Sequence, residues 1–225
     1  MAEQKIPEFQ GNLRSFFLTV PEPIKQCSGI KIFGKKIRSV LFSTDVSIIC
    51  NTNADSIIAV YPFTPQSAIT QAIMLVATVP VFAGVGGGRT QGKRVNNLAI
   101  HAEHQGAIGV VLNAPTTNES LAAVRERVDI PIVITVVSDQ DDIGARLEHG
   151  ADILNVSGAA NTPDIVRKIR RDFPDVAIIA TGGRNDDDIL RTIDAGANCI
   201  TWTPPTNGEL FKSVMELYRR GEKHP

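Results

Sequence analysis

The chain has 225 residues, 43% of them hydrophobic and 21% charged, with a formal net charge of -1. That composition supports a packed core and excludes disorder as the main state. The absence of a basic excess argues against nucleic acid or an anionic membrane surface as partner. No run of about 18 apolar residues occurs, so no membrane-spanning helix is expected.

The first fourteen residues, MAEQKIPEFQGNLR, lack the apolar centre of a signal peptide. Cys27, Cys50 and Cys199 are widely spaced and form no CxxC or zinc pattern. Both observations lead us to expect a cytoplasmic protein, with each cysteine a small buried hydrophobe. Residues 1–36 read as an N-terminal extension. Its CSGIKIFGKKIRS stretch predicts a hairpin turning at Gly34 and covering the lower mouth of the domain that begins at residue 37.

From residue 37 to residue 225, short β-branched runs alternate with longer segments of helical period, which implies parallel strands joined by helical crossovers. The predicted strands are 37–43, 56–61, 79–84, 107–113, 130–137, 152–156, 177–180 and 199–203. Most are nearly continuous apolar runs, as in strands covered on both faces. Predicted helices cover 67–78, 92–105, 119–128, 140–149, 163–172, 186–194 and 207–219. The crossover at 46–53 is short. Thr162 before Pro163 reads as an N-cap, and three acids at Asp186–Asp188 suit the positive end of a helix.

QGAIGVVLNAP, HGADILNVSGA and AGANCITWTPP share a Gly-Ala step followed by a strand. Gly106, Gly150 and Gly196 stand where helices should end in a left-handed residue. The intervening strands follow a second template, so the repeat unit is (βα)2 at about 45-residue spacing. Repetition of that kind fits a closed (β/α)8 TIM barrel, one α/β domain overall, better than an open doubly wound sheet.

In such a barrel the chemistry sits where the strands end. The first strand ends at Ser43, Thr44 and Asp45. Asp45 is the candidate for moving a proton, with a helix N-cap as its alternative role. Tyr61 and Asn113 join it as catalytic candidates able to orient a hydroxylated ligand. Gly84–Gly88 places four glycines in five residues, which leaves backbone amides open to negative charge. Gly86, Gly87 and Gly88, with Lys93 beyond them, are therefore ligand-binding candidates. GGRTQGK at 87–93 has phosphate-loop spacing, but Arg94 replaces the Ser or Thr that would hold magnesium. Asn155, Ser157, Thr181, Gly182, Gly183 and Thr203 complete the ligand-binding set. His101 and His104 are three apart on one helix, which is poor spacing for a metal pair, and neither a metal nor a cofactor is implied. The strand ends carry no lysine for an imine mechanism and no G-x-S-x-G elbow.

ATGG at 180–183 and the AGAN step at 195–198 resemble the phosphate-binding barrel superfamily, which includes aldolases, thiamine-phosphate synthases and aminosugar-phosphate epimerases. That resemblance implies a phosphate held by the amides of Gly182 and Gly183. The sequence departs from it after the eighth strand. Thr203-Pro204-Pro205 replaces the usual Gly-Ser or Gly-Thr step, and proline offers no N–H. The wider pattern, STD, AVYPFTPQ, GVGGG, VLNAPT, NVSGAANTP, ATGG and TPP, is similar to a small bacterial barrel family that carries a generic hydrolase label. The expectation is an enzyme acting on a small anionic or phosphorylated metabolite by isomerase, epimerase or lyase chemistry. A hydrolase and a non-catalytic phosphometabolite-binding barrel are the alternatives. A homo-oligomer is expected only because symmetric assembly is common.

Overall fold

The computed structural model describes Pro7, Phe9, Gly11 and residues 18–222; the other extension residues before Leu18 lie outside the described residues. A 3-10 turn at Glu22–Gln26 leads into β1 (Ile30–Ile32) and β2 (Lys35–Ile37), which pair antiparallel. Phe33 and Gly34 both take positive φ, 45° and 83°, in the two-residue turn between them. That is the left-handed pair a tight hairpin requires, and Gly34 supplies its half without steric cost.

Eight parallel strands then close a barrel. They are β3 (Ser39–Phe42), β4 (Ser56–Ala59), β5 (Val81–Gly86), β6 (Gly109–Leu112), β7 (Ile132–Val136), β8 (Ile153–Val156), β9 (Ala177–Thr181) and β10 (Cys199–Trp202). The last strand pairs with the first, Thr201 opposite Val40. The crossovers are α1 (Val46–Cys50), α2 (Ser67–Val76), α3 (Lys93–His104), α4 (Asn118–Arg125), α5 (Ile143–Glu148), α6 (Thr162–Asp172) and α7 (Asp186–Asp194), with α8 (Asn207–Arg219) closing the chain. The predicted barrel is thus the observed one. Gly106, Gly150 and Gly196 take φ of 92°, 100° and 109°, ending their helices as expected.

Three local expectations are corrected. Ile37 belongs to the hairpin, and Arg38 alone separates it from the first barrel strand. Thr162 is the first helical residue of α6 rather than its cap, and its hydroxyl instead takes the Gly158 amide at 3.0 Å. Cys50 is exposed, whereas Cys27 and Cys199 are buried. Burial pushes the Cys27 thiol up to about 11 and raises Cys199 as well, so neither is poised as a nucleophile.

Two apolar layers hold the fold. The outer one lies between strands and helices and includes Leu41, Ile57, Leu112, Ile134, Leu154 and Ile178. The inner one fills the barrel with Val40, Ile58, Phe82, Val111, Val133, Ile153, Ile179 and Cys199. Ile32 and Ile37 of the hairpin belong to that inner cluster. The hairpin sits at the N-terminal mouth because its partners are there. Gly29 N donates to Asn198 O at 2.9 Å, Asn198 Nδ2 donates to Ser28 Oγ at 3.0 Å, and Cys199 Sγ donates to Ile37 O at 2.9 Å. Among the described residues no helix is long and apolar enough to cross a membrane.

Candidate functional site

Side chains two apart on a strand share a face, so the inner apolar layer fixes which residues stand one step higher. Those residues are Phe42, Val60, Gly84, Asn113, Thr135, Asn155, Thr181 and Thr201. Seven of them, all but Gly84, line a cavity of about 290 Å³ at the C-terminal mouth, together with Ile58 below and Ser157 and Thr203 above. On five of the eight strands, β6 to β10, the interior therefore changes within one side-chain step from the apolar layer to amides and hydroxyls.

The cavity opens into two lobes. One, of about 220 Å³, runs beneath the β4–α2 loop, with Tyr61, Pro62, Phe63 and Pro65 facing Gly84, Gly86, Gly88 and Thr90. It shares Val60 and Asn113 with the central cavity. The other, of about 690 Å³, lies beyond β8, β9 and β10 and shares Ser157, Thr181, Thr201 and Thr203 with the centre. Its outer wall carries Arg184, Asp188 and Arg191. Their shared walls set the three spaces side by side across the mouth, and together they are termed the trough.

Within the chain, five buried side-chain polar atoms among the described residues make no hydrogen bond, and three of them line this trough: Thr90 Oγ1, Asn155 Oδ1 and Thr201 Oγ1. Thr90 and Thr201 are only 4% and 8% exposed. A buried polar atom left unmatched costs about 1–3 kcal/mol, so their concentration at one mouth marks where a polar ligand would be matched. Neighbouring groups are already engaged. Asn155 Nδ2 donates to Thr135 Oγ1 at 3.3 Å, and Thr181 Oγ1 lies 3.1 Å from Thr162 Oγ1.

Of the residues singled out in the sequence, Tyr61, Gly86, Gly88, Asn113, Asn155, Ser157, Thr181, Gly182, Gly183 and Thr203 converge on the trough. Asp45, Gly87 and Lys93 line none of these three spaces. Asp45 is the N-cap of α1. Its Oδ1 accepts from the amides of Ser47 (2.9 Å) and Ile48 (3.3 Å) and from the Ser47 hydroxyl (2.7 Å), and Oδ2 accepts from Asn207 Nδ2. Those donors, the Ser47 hydroxyl first, hold its carboxyl below the usual carboxylate range against a smaller opposing effect of burial. This geometry gives Asp45 the N-cap role, the alternative expected for it. Gly87 turns the chain at φ 97°, where a Cβ would meet Thr116 Oγ1 at 2.0 Å, and its amide donates to Thr90 O at 2.9 Å. Its glycine serves packing against the β6 exit. Lys93 is the first residue of α3 and is exposed.

Of the two amides implied as a phosphate cradle, that of Gly182 is engaged within the chain, as is the next amide but one, that of Arg184. Gly182 N donates to Thr201 O at 3.2 Å. Arg184 N donates to Asp188 Oδ2 at 3.2 Å, a bond that leads the causes lowering the Asp188 carboxyl, with the Arg191 guanidinium next. Gly183, at φ 80°, leaves the room that Asp188 fills, since a Cβ there would meet Asp188 Cβ at 2.4 Å. After β10, Pro204 and Pro205 have no N–H. The amides of Thr206 and Glu209 are taken up in a capping box at the start of α8. The chain thus supplies its own carboxylates where the resemblance implied an anion.

Sequence reasoning gave no role to Thr90 or Thr135, and noted Thr201 only as a polar group at the end of the last strand. The last two were within reach, because strand parity places them level with Asn155 and Thr181. Thr90 sits in a loop without period and gave no signal. His101 Nε2 lies 3.3 Å from Gln105 Nε2, and among the described residues no group of three or more His, Cys, Asp or Glu side chains could hold a metal ion.

The class so defined is a (β/α)8 barrel with a polar trough at its C-terminal mouth. No family model and no curated protein matches the sequence. Solved structures do. A protein from Burkholderia cenocepacia J2315 assigned as a phosphonomutase superposes with TM-score 0.63 at 16% identity, covering 81% of this chain and 92% of that one. Phosphonopyruvate hydrolase in complex with oxalate and Mg++ gives 0.63 at 13% identity, with 85% of each chain covered. A mandelate oxidase mutant with benzaldehyde gives 0.62 at 16% identity, covering 79% of this chain and 68% of the other. At these identities the likeness establishes the barrel fold.

Proposed function

We propose that this barrel is an enzyme acting on a small hydroxylated carboxylic acid in the trough, by proton-transfer chemistry of the isomerase, epimerase or lyase kind. The observation that carries the reading is the set of unmatched polar atoms in adjoining cavities at the mouth. Asn155 Oδ1 accepts a ligand hydroxyl, and Thr201 Oγ1 can donate or accept. The β9 lobe brings two guanidiniums, Arg184 and Arg191, against one carboxylate, Asp188. One net positive charge suits a carboxylate better than a doubly charged phosphate, and the Gly182 amide, already bonded to Thr201 O, argues the same way. Tyr61 is the acid–base candidate. Its oxygen accepts the Gln66 amide at 2.6 Å, which leaves the hydroxyl proton for the ligand. Asn113, shared by the centre and the glycine-loop lobe, would orient the reacting group.

One observation favours a second reading. None of the ten residues lining the central cavity is ionisable, which suits a barrel that binds its ligand without transforming it.

The test is a thermal-shift screen against small hydroxy acids and their phosphate esters, followed by NMR of any binder with the protein in D2O. Stabilisation by hydroxy acids, lost in Asn155→Ala, with exchange of a ligand C–H for deuterium that Tyr61→Phe abolishes, supports the enzyme. Binding without exchange supports the second reading. Stabilisation by phosphate esters alone overturns the carboxylate assignment.

A further inference from the structure

The lobe beside the glycine loop differs in chemistry from the rest of the trough. Its lining includes four ring side chains, Tyr61, Pro62, Phe63 and Pro65. Phe63 is 72% exposed, so its ring has little of its own chain to pack on. The lining also carries glycines, and close packing dictates two of them. A Cβ at Gly84 would meet Ala59 O at 3.0 Å, and one at Gly86 would meet Thr90 O at 2.8 Å. Bare backbone on one side and ring faces on the other leave a slot for a flat group. At its edge lies Thr90 Oγ1, buried and without a partner. A wholly hydrocarbon occupant would leave that hydroxyl unmatched.

We propose that this lobe is a specificity subsite for the side chain of the hydroxy acid, taking a flat apolar group that bears one polar atom; the subsite rests on the hydroxy-acid reading of the trough. The acid and hydroxyl ends lie over Arg184, Thr201 and Asn155, and the side chain passes Val60 and Asn113 to lie between Phe63 and the glycine wall. Its polar atom meets Thr90. The substrate class is then a 2-hydroxy acid with a hydroxylated ring, rather than a short polyol acid.

Gly88 offers the cleanest test. A Cβ there would have only Asn113 Nδ2 near it, at 3.8 Å, and its φ lies outside the left-handed region, so a larger residue enters the lobe without clash. The probes are 3-(4-hydroxyphenyl)lactate and lactate, with affinities measured by titration calorimetry. Burying a ring gives wild type a preference for the first of about tenfold or more. Gly88→Val removes that preference. Phe63→Ala, at an exposed position with no folding burden, lowers it in the same direction. Thr90→Val weakens only the hydroxyphenyl acid. Equal affinities in wild type, or a preference that survives both Gly88→Val and Phe63→Ala, overturn the subsite and leave the reading of the trough standing. If neither acid binds, the hydroxy-acid class falls and this subsite falls with it.

Discussion

At the N-terminal mouth, Ile32 and Ile37 sink into the same apolar cluster as Phe82 and Ile153, and the hairpin is tied to the start of β10 by Gly29, Ser28 and Ile37. At the C-terminal mouth, one side-chain step above that cluster, stand Asn113, Thr135, Asn155, Thr181 and Thr201, with Asn155 and Thr201 each holding an atom that bonds to nothing in the chain. The same barrel therefore has one end closed by the burial that stabilises it and another left short of partners. Stability and recognition are divided between its two ends, and substitutions at the two should differ in sign as well as in size.

The largest effect is expected at the closed end. Ile37 is 1% exposed, and Ile37→Ala removes hydrocarbon from the seam between hairpin and barrel. It should cost about 2–5 kcal/mol in urea denaturation and leave ligand affinity unchanged in the protein that remains folded. Gly87→Ala comes next. It places a Cβ against Thr116 at a positive φ and should cost about 1–3 kcal/mol, distorting the glycine loop as well. Thr201→Val should reverse the sign. It replaces an unmatched buried hydroxyl with a methyl of the same shape, so the free protein should gain about 1 kcal/mol while ligand-induced stabilisation disappears. A Thr201→Val protein that is less stable than wild type would mean the hydroxyl is already satisfied, and the contrast between the mouths would lose its basis.

The smallest effect belongs to Asp45, at the rim but outside the trough. Asp45→Ala should cost about 1 kcal/mol as a lost N-cap and leave turnover intact. Because its carboxyl is held below the ordinary value of 3.8 in the folded chain, its contribution is full above that value and fades as the pH falls through the lower folded one. Denaturation of wild type and variant should therefore converge in acid and differ near neutrality.

The two ends were unequally legible in the sequence. The barrel was readable because its strands are apolar runs, three of them preceded by a Gly-Ala step, and both signals are local. Ile37 was assigned to the wrong strand because hairpin and barrel abut with one residue between them, and no local pattern marks that seam. Asp45 presented two roles; the cap partners Ser47 and Ile48 are close by in the chain, whereas its further donor Asn207 lies 162 positions away. The polar layer follows from counting by twos along each strand, which found Asn155 and Thr181 and would have given Thr135 and Thr201 a role. The Thr90 hydroxyl is buried by loop packing, which no periodicity encodes. The ATGG step did mark a wall of the trough, but whether the Gly182 amide was free depended on Thr201, nineteen positions on.

The hairpin also bears on the order of assembly. Ile37 and its partner Cys199 are separated by 162 positions, so a chain emerging from the ribosome carries the stopper first and the seat for it last. Until β10 is made, Ile32 and Ile37 have no complete floor to cover. The lower end can seal only after the ring has closed, so this contact reports completion rather than nucleation, and its loss should accelerate unfolding more than it slows folding.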